Sequence, residues 1–211
     1  MHGKLQIALD DITLDDSLVL LDKICNDVDI VEVGTTFMMN YGMQAVRVIK
    51  EKYPELEVLC DSKIMDAGSR SANLAFEAGA DYVTVLGVTD DATIKDCVNV
   101  AKKYNRKIMI DMICVSDFAS RIETLEDIGV DIIAVHTGVD QQANGRTPLD
   151  DLKEMRQYIK KSQVAVAGGI NLKTISEYMK FQPEVIIVGS GISSAVDPVA
   201  AAKEFSIKIK G

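Results

Sequence analysis

EVLCDSKIMDAGSRSANLAFEAGADYVTVLGV, residues 57–88, holds one complete structural unit. It opens on an apolar run, EVLCDSK (57–63), and turns through Ile64–Gly68. AGSRSANLAFEAG (67–79) then carries small and apolar residues at helical spacing, and YVTVLGV (82–88) is a second apolar run. The reading is strand, helix, strand. Short Val/Ile-rich runs without strict alternation are what parallel strands covered on both faces look like.

The same unit recurs along the chain. LQIALD (5–10), IVEVGT (30–35), KIMIDMI (107–113), IIAVHTG (132–138), VAVAGGI (164–170) and EVIIVGSG (184–191) complete a set of eight runs. Amphipathic segments lie between them, among them LDDSLVLLDKICNDV (14–28) and ATIKDCVNVAKKYN (92–105). FASRIETLEDIG (118–129) is another, with Gly129 as its expected C-cap. Pro148 after Thr147 suits the first position of the sixth helical segment. Eight strands alternating with eight helices predict an α/β fold, a compact single-domain (β/α)8 TIM barrel over residues 1–211.

Composition narrows the function classes. The chain has 211 residues, 47% hydrophobic and 26% charged, with a net charge of -9. That charge opposes a phosphodiester backbone, so no nucleic-acid partner is expected. No run approaches the length of a membrane helix, and the first residues carry no signal-peptide pattern, so the expectation is a cytoplasmic protein with no membrane partner. Cys25, Cys60, Cys97 and Cys114 form no C-x-x-C pair and read as small buried hydrophobes in a reducing compartment.

Barrel enzymes build their sites at the C-terminal ends of the strands. Here those ends are polar: Asp10 on the first strand, Glu32 on the second, Asp61 and Lys63 on the third, Asp111 on the fifth and His136 on the sixth. The seventh and eighth strands run into Gly168-Gly169 and Gly189-Ser190-Gly191. Side chains two apart share a face of a strand. Gln6, Ala8 and Asp10 therefore point into the barrel while Leu5, Ile7 and Leu9 meet the helices, and Asp61 and Lys63 point inward together.

Four carboxylates at one mouth repel one another. Lys63 offsets one charge, and a divalent cation would offset more. Oxygen ligands favour Mg²⁺, with Mn²⁺ as the alternative, and Glu32 and Asp61 are the candidate ligands. Lys63 between carboxylates stays charged, which suits stabilisation of an oxyanion better than Schiff-base chemistry. His136 suits a general acid or base. The glycine pairs let backbone amides approach a phosphate. Plainer roles stand beside these: Asp66 as a helix N-cap, His136 as a structural histidine, Glu32 as an ion-pair partner of Lys63, and the glycines as tight turns.

The D-S-K-I-M-D run (61–66) matches the D-x-K-x-x-D pattern of the orotidine monophosphate decarboxylase group of barrels. LQIALD, VDIVEVGT, DSKIMDAG and VAVAGGI extend the resemblance over nearly the whole chain. Within the group the chain resembles two sister families, the 3-hexulose-6-phosphate synthases and the 3-keto-L-gulonate-6-phosphate decarboxylases. The decarboxylases carry Glu in the strand-five site, Arg shortly after the strand-six His and Thr before the strand-seven Gly-Gly. Asp111, Val139 and Ala167 stand at those places and resemble the synthases.

The synthase resemblance implies an Mg²⁺-dependent aldolase joining formaldehyde to D-ribulose 5-phosphate through an enediolate. It implies Glu32 and Asp61 as metal ligands, Lys63 beside the enediolate, His136 as the base at C1, and Asp10 on substrate hydroxyls. Asp66 would reach the partner subunit's site in a homodimer. Ser190 stands where the decarboxylases carry an arginine, so phosphate would rest on the amides of Gly169, Gly189, Ser190 and Gly191. Alternatives are the decarboxylase, which protonates the same intermediate, a phosphosugar-binding protein without turnover, and a Schiff-base aldolase.

Overall fold

In the computed structural model, residues 3–211 are described except Asn144 and Arg146, and Val139 by its backbone alone. The strands are β1 (Lys4–Leu9), β2 (Ile30–Val33), β3 (Glu57–Ile64), β4 (Tyr82–Leu86), β5 (Lys107–Asp111), β6 (Ile132–His136), β7 (Gln163–Ala167) and β8 (Val185–Val188). They close in chain order into one barrel with every neighbouring pair parallel, and β1 meets β8. The expected (β/α)8 barrel is the observed one.

The helices are α1 (Leu14–Ile24), α2 (Thr35–Tyr41), α3 (Met43–Lys52), α4 (Gly68–Glu77), α5 (Asp91–Tyr104), α6 (Phe118–Ile128), α7 (Val139–Ala143), α8 (Pro148–Met155), α9 (Ile175–Met179), α10 (Ser190–Ser193) and α11 (Pro198–Lys210). The described residues thus carry eleven helices where eight were expected. The additional ones, α2, α7 and α10, are short and each follows a strand directly, at the C-terminal face where the loops are elaborated. Gly129 caps α6 in the left-handed conformation, and Pro148 opens α8 behind Thr147, both as expected. Asp66 does not cap α4: the N-cap is Ala67, and no side chain bonds there.

Alternation along the strands sorts the core into two shells. Ala8, Ile30, Leu59, Tyr82, Met109, Ile132, Ala134, Ala165, Val185 and Ile187 fill the barrel. Leu5, Ile7, Leu9 and their equivalents pack outward against the helices. All four cysteines are free; Cys60 and Cys97 are buried. Cys114 departs from the expectation, being exposed in the loop after β5 at φ 63°.

At the N-terminal end a clamp repeats four times. The residue just before each even-numbered strand is acidic: Asp29, Asp81, Asp131 and Glu184. Each carboxylate accepts the backbone N–H of the second residue of the preceding strand: Leu5 at 2.8 Å, Val58 at 2.8 Å, Ile108 at 3.0 Å and Val164 at 2.7 Å. Asp81 also pairs with Lys50 and Arg106, and Asp29 with Lys210. The strand starts are locked in pairs, which fixes the register that carries the opposite ends to one level.

Candidate active site

The polar residues at the C-terminal ends converge on one mouth. β2 presents Glu32, β3 Asp61 and Lys63, β5 Asp111 and β6 His136. Lys63 Nζ lies 2.5 Å from Asp61 Oδ2 and 3.4 Å from Asp111 Oδ2. Asp111 Oδ2 in turn lies 2.9 Å from His136 Nδ1. Asp61, Lys63, Asp111 and His136 therefore form one continuous chain of polar contacts across β3, β5 and β6.

Their environments set their ionisation. Burial opposes the charged form of Asp111, but His136 and Lys63 outweigh it and hold its pKa below the ordinary range. Burial also acts against the Lys63 ammonium, and Asp61 and Asp111 more than restore it, so its pKa is raised. A cation so held is a poor Schiff-base nucleophile and a good partner for a developing oxyanion. An ionised Asp111 accepts the Nδ1 proton of His136, which leaves Nε2 as the basic nitrogen.

Glu32 is the strained member. It is buried, and desolvation followed by the charge of Asp61 raises its pKa to about 8. Its Oε2 accepts a 2.6 Å hydrogen bond from Gln6 Nε2 on the barrel floor, and its partner is thus Gln6 rather than Lys63. Gln6 Oε1 is the one buried side-chain polar atom without a partner among the described residues. A buried carboxylate whose charge is opposed by a neighbouring carboxylate fits a divalent cation between the two. Among the described residues no group of three or more His, Cys, Asp or Glu side chains forms a cage.

Asp10 lies one residue beyond β1, exposed at the rim of the mouth and close enough to interact electrostatically with Asp61, Lys63 and Glu32. Thr36 Oγ1 donates to its Oδ1 at 3.2 Å, and its pKa is raised by desolvation first and then, against that bond, by Asp61. Gly34 permits this: a Cβ there would sit 2.2 Å from Asp10 Oδ1. Ala167 ends β7 opposite His136. Gly168 and Gly169 follow at φ 114° and 62°, and a Cβ on either would meet a neighbouring oxygen at 2.6 Å. A Cβ on Gly191 would lie 2.9 Å from the carbonyl oxygen of Ile170, so the loops after β7 and β8 pack backbone to backbone. Gly189, Ser190 and Gly191 open α10, whose first N–H groups have no intrahelical partner.

Asp66 stands apart, exposed in the loop between β3 and α4. Val139 begins α7, and its side chain lies outside the described residues. His2 also lies outside them. Sequence reading missed Gln6 as a partner of Glu32, and it missed three threonines. Thr35 Oγ1 donates to Asp61 Oδ2 at 2.7 Å, Thr84 Oγ1 to Asp61 Oδ1 at 2.8 Å, and Thr36 serves Asp10. The signals were there: Thr35 and Thr36 open α2 one residue past β2, and Thr84 shares the inward face of β4 with Tyr82.

Known proteins align with this chain from end to end. The pattern described as "Orotidine 5'-phosphate decarboxylase / HUMPS family" matches residues 3–205. A 3-hexulose-6-phosphate synthase of Bacillus subtilis (strain 168) is 45% identical over 201 residues, 95% of this chain and 96% of that protein. The crystal structure of 3-hexulose-6-phosphate synthase from Salmonella typhimurium superposes with a TM-score of 0.96 at 51% identity, over 98% of each chain. The 3-keto-L-gulonate-6-phosphate decarboxylase from Vibrio cholerae superposes at 0.85 with 27% identity, over 99% of each.

Proposed function

The chain belongs to the orotidine 5'-phosphate decarboxylase / HUMPS family, and we propose that within it the chain is a 3-hexulose-6-phosphate synthase, a carbon–carbon lyase. The reading rests on full-length similarity to synthases together with a histidine base linked through Asp111 to a fixed lysine cation. The reaction joins formaldehyde to D-ribulose 5-phosphate, reversibly. His136 Nε2 removes a proton from C1. The electron pair moves onto the C2 oxygen, where Lys63 faces the negative charge. C1 of the enediolate attacks formaldehyde, a carbon–carbon bond forms, and the His136 imidazolium returns its proton to the new hydroxyl. Asp111 holds the His136 ring and stabilises it while charged.

Glu32 and Asp61 would hold Mg²⁺, or Mn²⁺ in its place. The bound ion supplies Lewis-acid charge to the substrate oxygens. Asp10 and Thr36 suit substrate hydroxyls at the rim, and the amides of Gly169, Gly189, Ser190 and Gly191 suit the phosphate. Ala167 ends β7 and Val139 begins α7, the positions where the decarboxylases carry Thr and Arg. The exposed Asp66 suits a role across a homodimer contact, in the partner subunit's site. The enzyme would work in the cytoplasm; among the described residues no helix is long and apolar enough to cross a membrane.

The test is formaldehyde consumption with D-ribulose 5-phosphate, with Mg²⁺ and with excess EDTA. Metal-dependent loss of formaldehyde is expected. Release of CO₂ from 3-keto-L-gulonate 6-phosphate, without formaldehyde consumption, would replace this reading by the decarboxylase.

A further inference from the structure

The lysine at the centre of the site sits on irregular backbone. β3 pairs with β4 through Leu59 with Tyr82 and Cys60 with Val83, and pairing resumes only at Ile64 with Val85. Asp61, Ser62 and Lys63 thus face a single residue of β4, Thr84. Such a bulge bends its strand and re-aims the side chains it carries. Lys63 has φ 44°, a left-handed conformation that a lysine holds only where its surroundings impose it.

Thr84 meets all three residues of the bulge. Its Oγ1 accepts the Lys63 backbone N–H at 2.9 Å and donates to Asp61 Oδ1 at 2.8 Å. Its carbonyl accepts from Ser62 Oγ at 3.3 Å. The side chain is buried at 4% exposure, so water does not substitute for these bonds. One hydroxyl thereby takes the amide displaced by the bulge and fixes the carboxylate that pairs with the ammonium.

We propose that Thr84 is a positioning residue of this enzyme: its hydroxyl pins the β3 bulge and so aims Lys63 and Asp61 into the mouth. The inference rests on the functional reading above for its kinetic consequence, and on the bulge and the Thr84 hydrogen bonds for the pin itself. It predicts that a methyl in place of the hydroxyl frees the Lys63 amide and lets the ammonium drift. A misplacement of about 1 Å at a reacting centre costs on the order of 100-fold in rate.

The experiment compares wild type, Thr84→Val and Thr84→Ser by two readouts. The first is hydrogen exchange at the Lys63 amide by NMR. The second is steady-state kinetics with ribulose 5-phosphate and formaldehyde. Thr84→Val should lose protection at Lys63 and drop kcat about 100-fold, with KM for ribulose 5-phosphate moving less than about 3-fold. Thr84→Ser keeps the hydroxyl and should restore the protection and bring kcat within about 5-fold of wild type. Wild-type kcat in Thr84→Val, unchanged Lys63 protection, or a serine variant as impaired as the valine one would each overturn the proposal. Thr84→Ala takes the same test should the valine variant not fold. If wild type itself turns over neither substrate, the functional reading fails, and the Lys63 amide still decides the pin.

Discussion

The two ends of the barrel use the same residue type for opposite purposes. At the N-terminal end Asp29, Asp81, Asp131 and Glu184 each accept a backbone N–H, and Asp81 has two cations besides. At the C-terminal end Asp61 and Asp111 share one lysine, and Glu32, bonded to Gln6 instead, is driven toward its neutral form. Carboxylates whose lone pairs are met by fixed donors add stability; carboxylates left short of positive charge store demand for a ligand. Charge removed at one end should cost folding, and charge removed at the other should cost chemistry.

The largest effect tests that division at the mouth. Lys63→Met should lower kcat/KM by about 1,000-fold, the scale for losing a preorganised group opposite a developing oxyanion. It leaves the buried Asp61 and Asp111 carboxylates without their shared cation, so its thermal midpoint should fall, but less than that of Asp81→Ala, because no backbone group of the barrel frame loses its partner. A Lys63→Met protein that keeps a tenth of the activity, or that melts below Asp81→Ala, breaks the contrast. Asp81→Ala is its mirror. It strips the Val58 N–H of its acceptor and leaves Lys50 and Arg106 without their carboxylate, which should cost about 3 kcal/mol of folding free energy. Denaturant titration reads the loss, and turnover of the folded variant should match wild type within about 2-fold.

The mouth also predicts a pH dependence of stability. In the folded chain Glu32 keeps its proton to about pH 8, whereas the unfolded chain releases it near 4.5. Between those values the folded state binds more protons, so the metal-free protein should lose stability as pH rises, by at most about 1.4 kcal/mol per pH unit from this group. Glu32→Gln removes the titration, and denaturation in EDTA at pH 5.5 and pH 8 should show a flatter dependence. An unchanged slope would mean that Glu32 is ionised throughout. Mg²⁺ bound by ionised Glu32 should also release protons from wild type at pH 7 and fewer from the variant.

How much of this was legible in the sequence follows the same division. The barrel itself could be read, because burial on both faces writes eight short Val/Ile runs that no other parallel architecture of this length repeats so evenly. The convergence of Glu32, Asp61, Lys63, Asp111 and His136 was legible from strand ends and alternation. Asp10 was legible as a residue of the same mouth; what was not legible is that β1 ends at Leu9, one residue short of it, and that Gly34 leaves room for its carboxylate beside Thr36. The β3 bulge was hidden, since it inserts residues in pairs and leaves the inward parity of Asp61 and Lys63 intact. The threonines escaped because a hydroxyl inside a β-branched run looks like ordinary strand composition.

The N-terminal clamp was hidden for a different reason. Val28-Asp29-Ile30, Ala80-Asp81-Tyr82, Val130-Asp131-Ile132 and Pro183-Glu184-Val185 look like turns ending ordinary helices, and only the pairing of strands shows one geometry used four times. Repetition allows a graded test. Among the described residues Asp131 makes the Ile108 contact without a cation at its side chain, whereas Asp81 adds Lys50 and Arg106. Asp131→Asn keeps an acceptor oxygen of similar reach and loses only charge assistance, so it should cost about 1 kcal/mol, a third of the Asp81→Ala effect. Urea titration of the two variants side by side reads the ratio. If Asp131→Asn proves as damaging as Asp81→Ala, the acid's charge rather than its backbone bond holds the strand starts, and the clamp is an electrostatic device like the mouth. If the small cost is found, the N-terminal carboxylates work as hydrogen-bond acceptors first, and charge left unmatched is confined to the end where substrate would arrive.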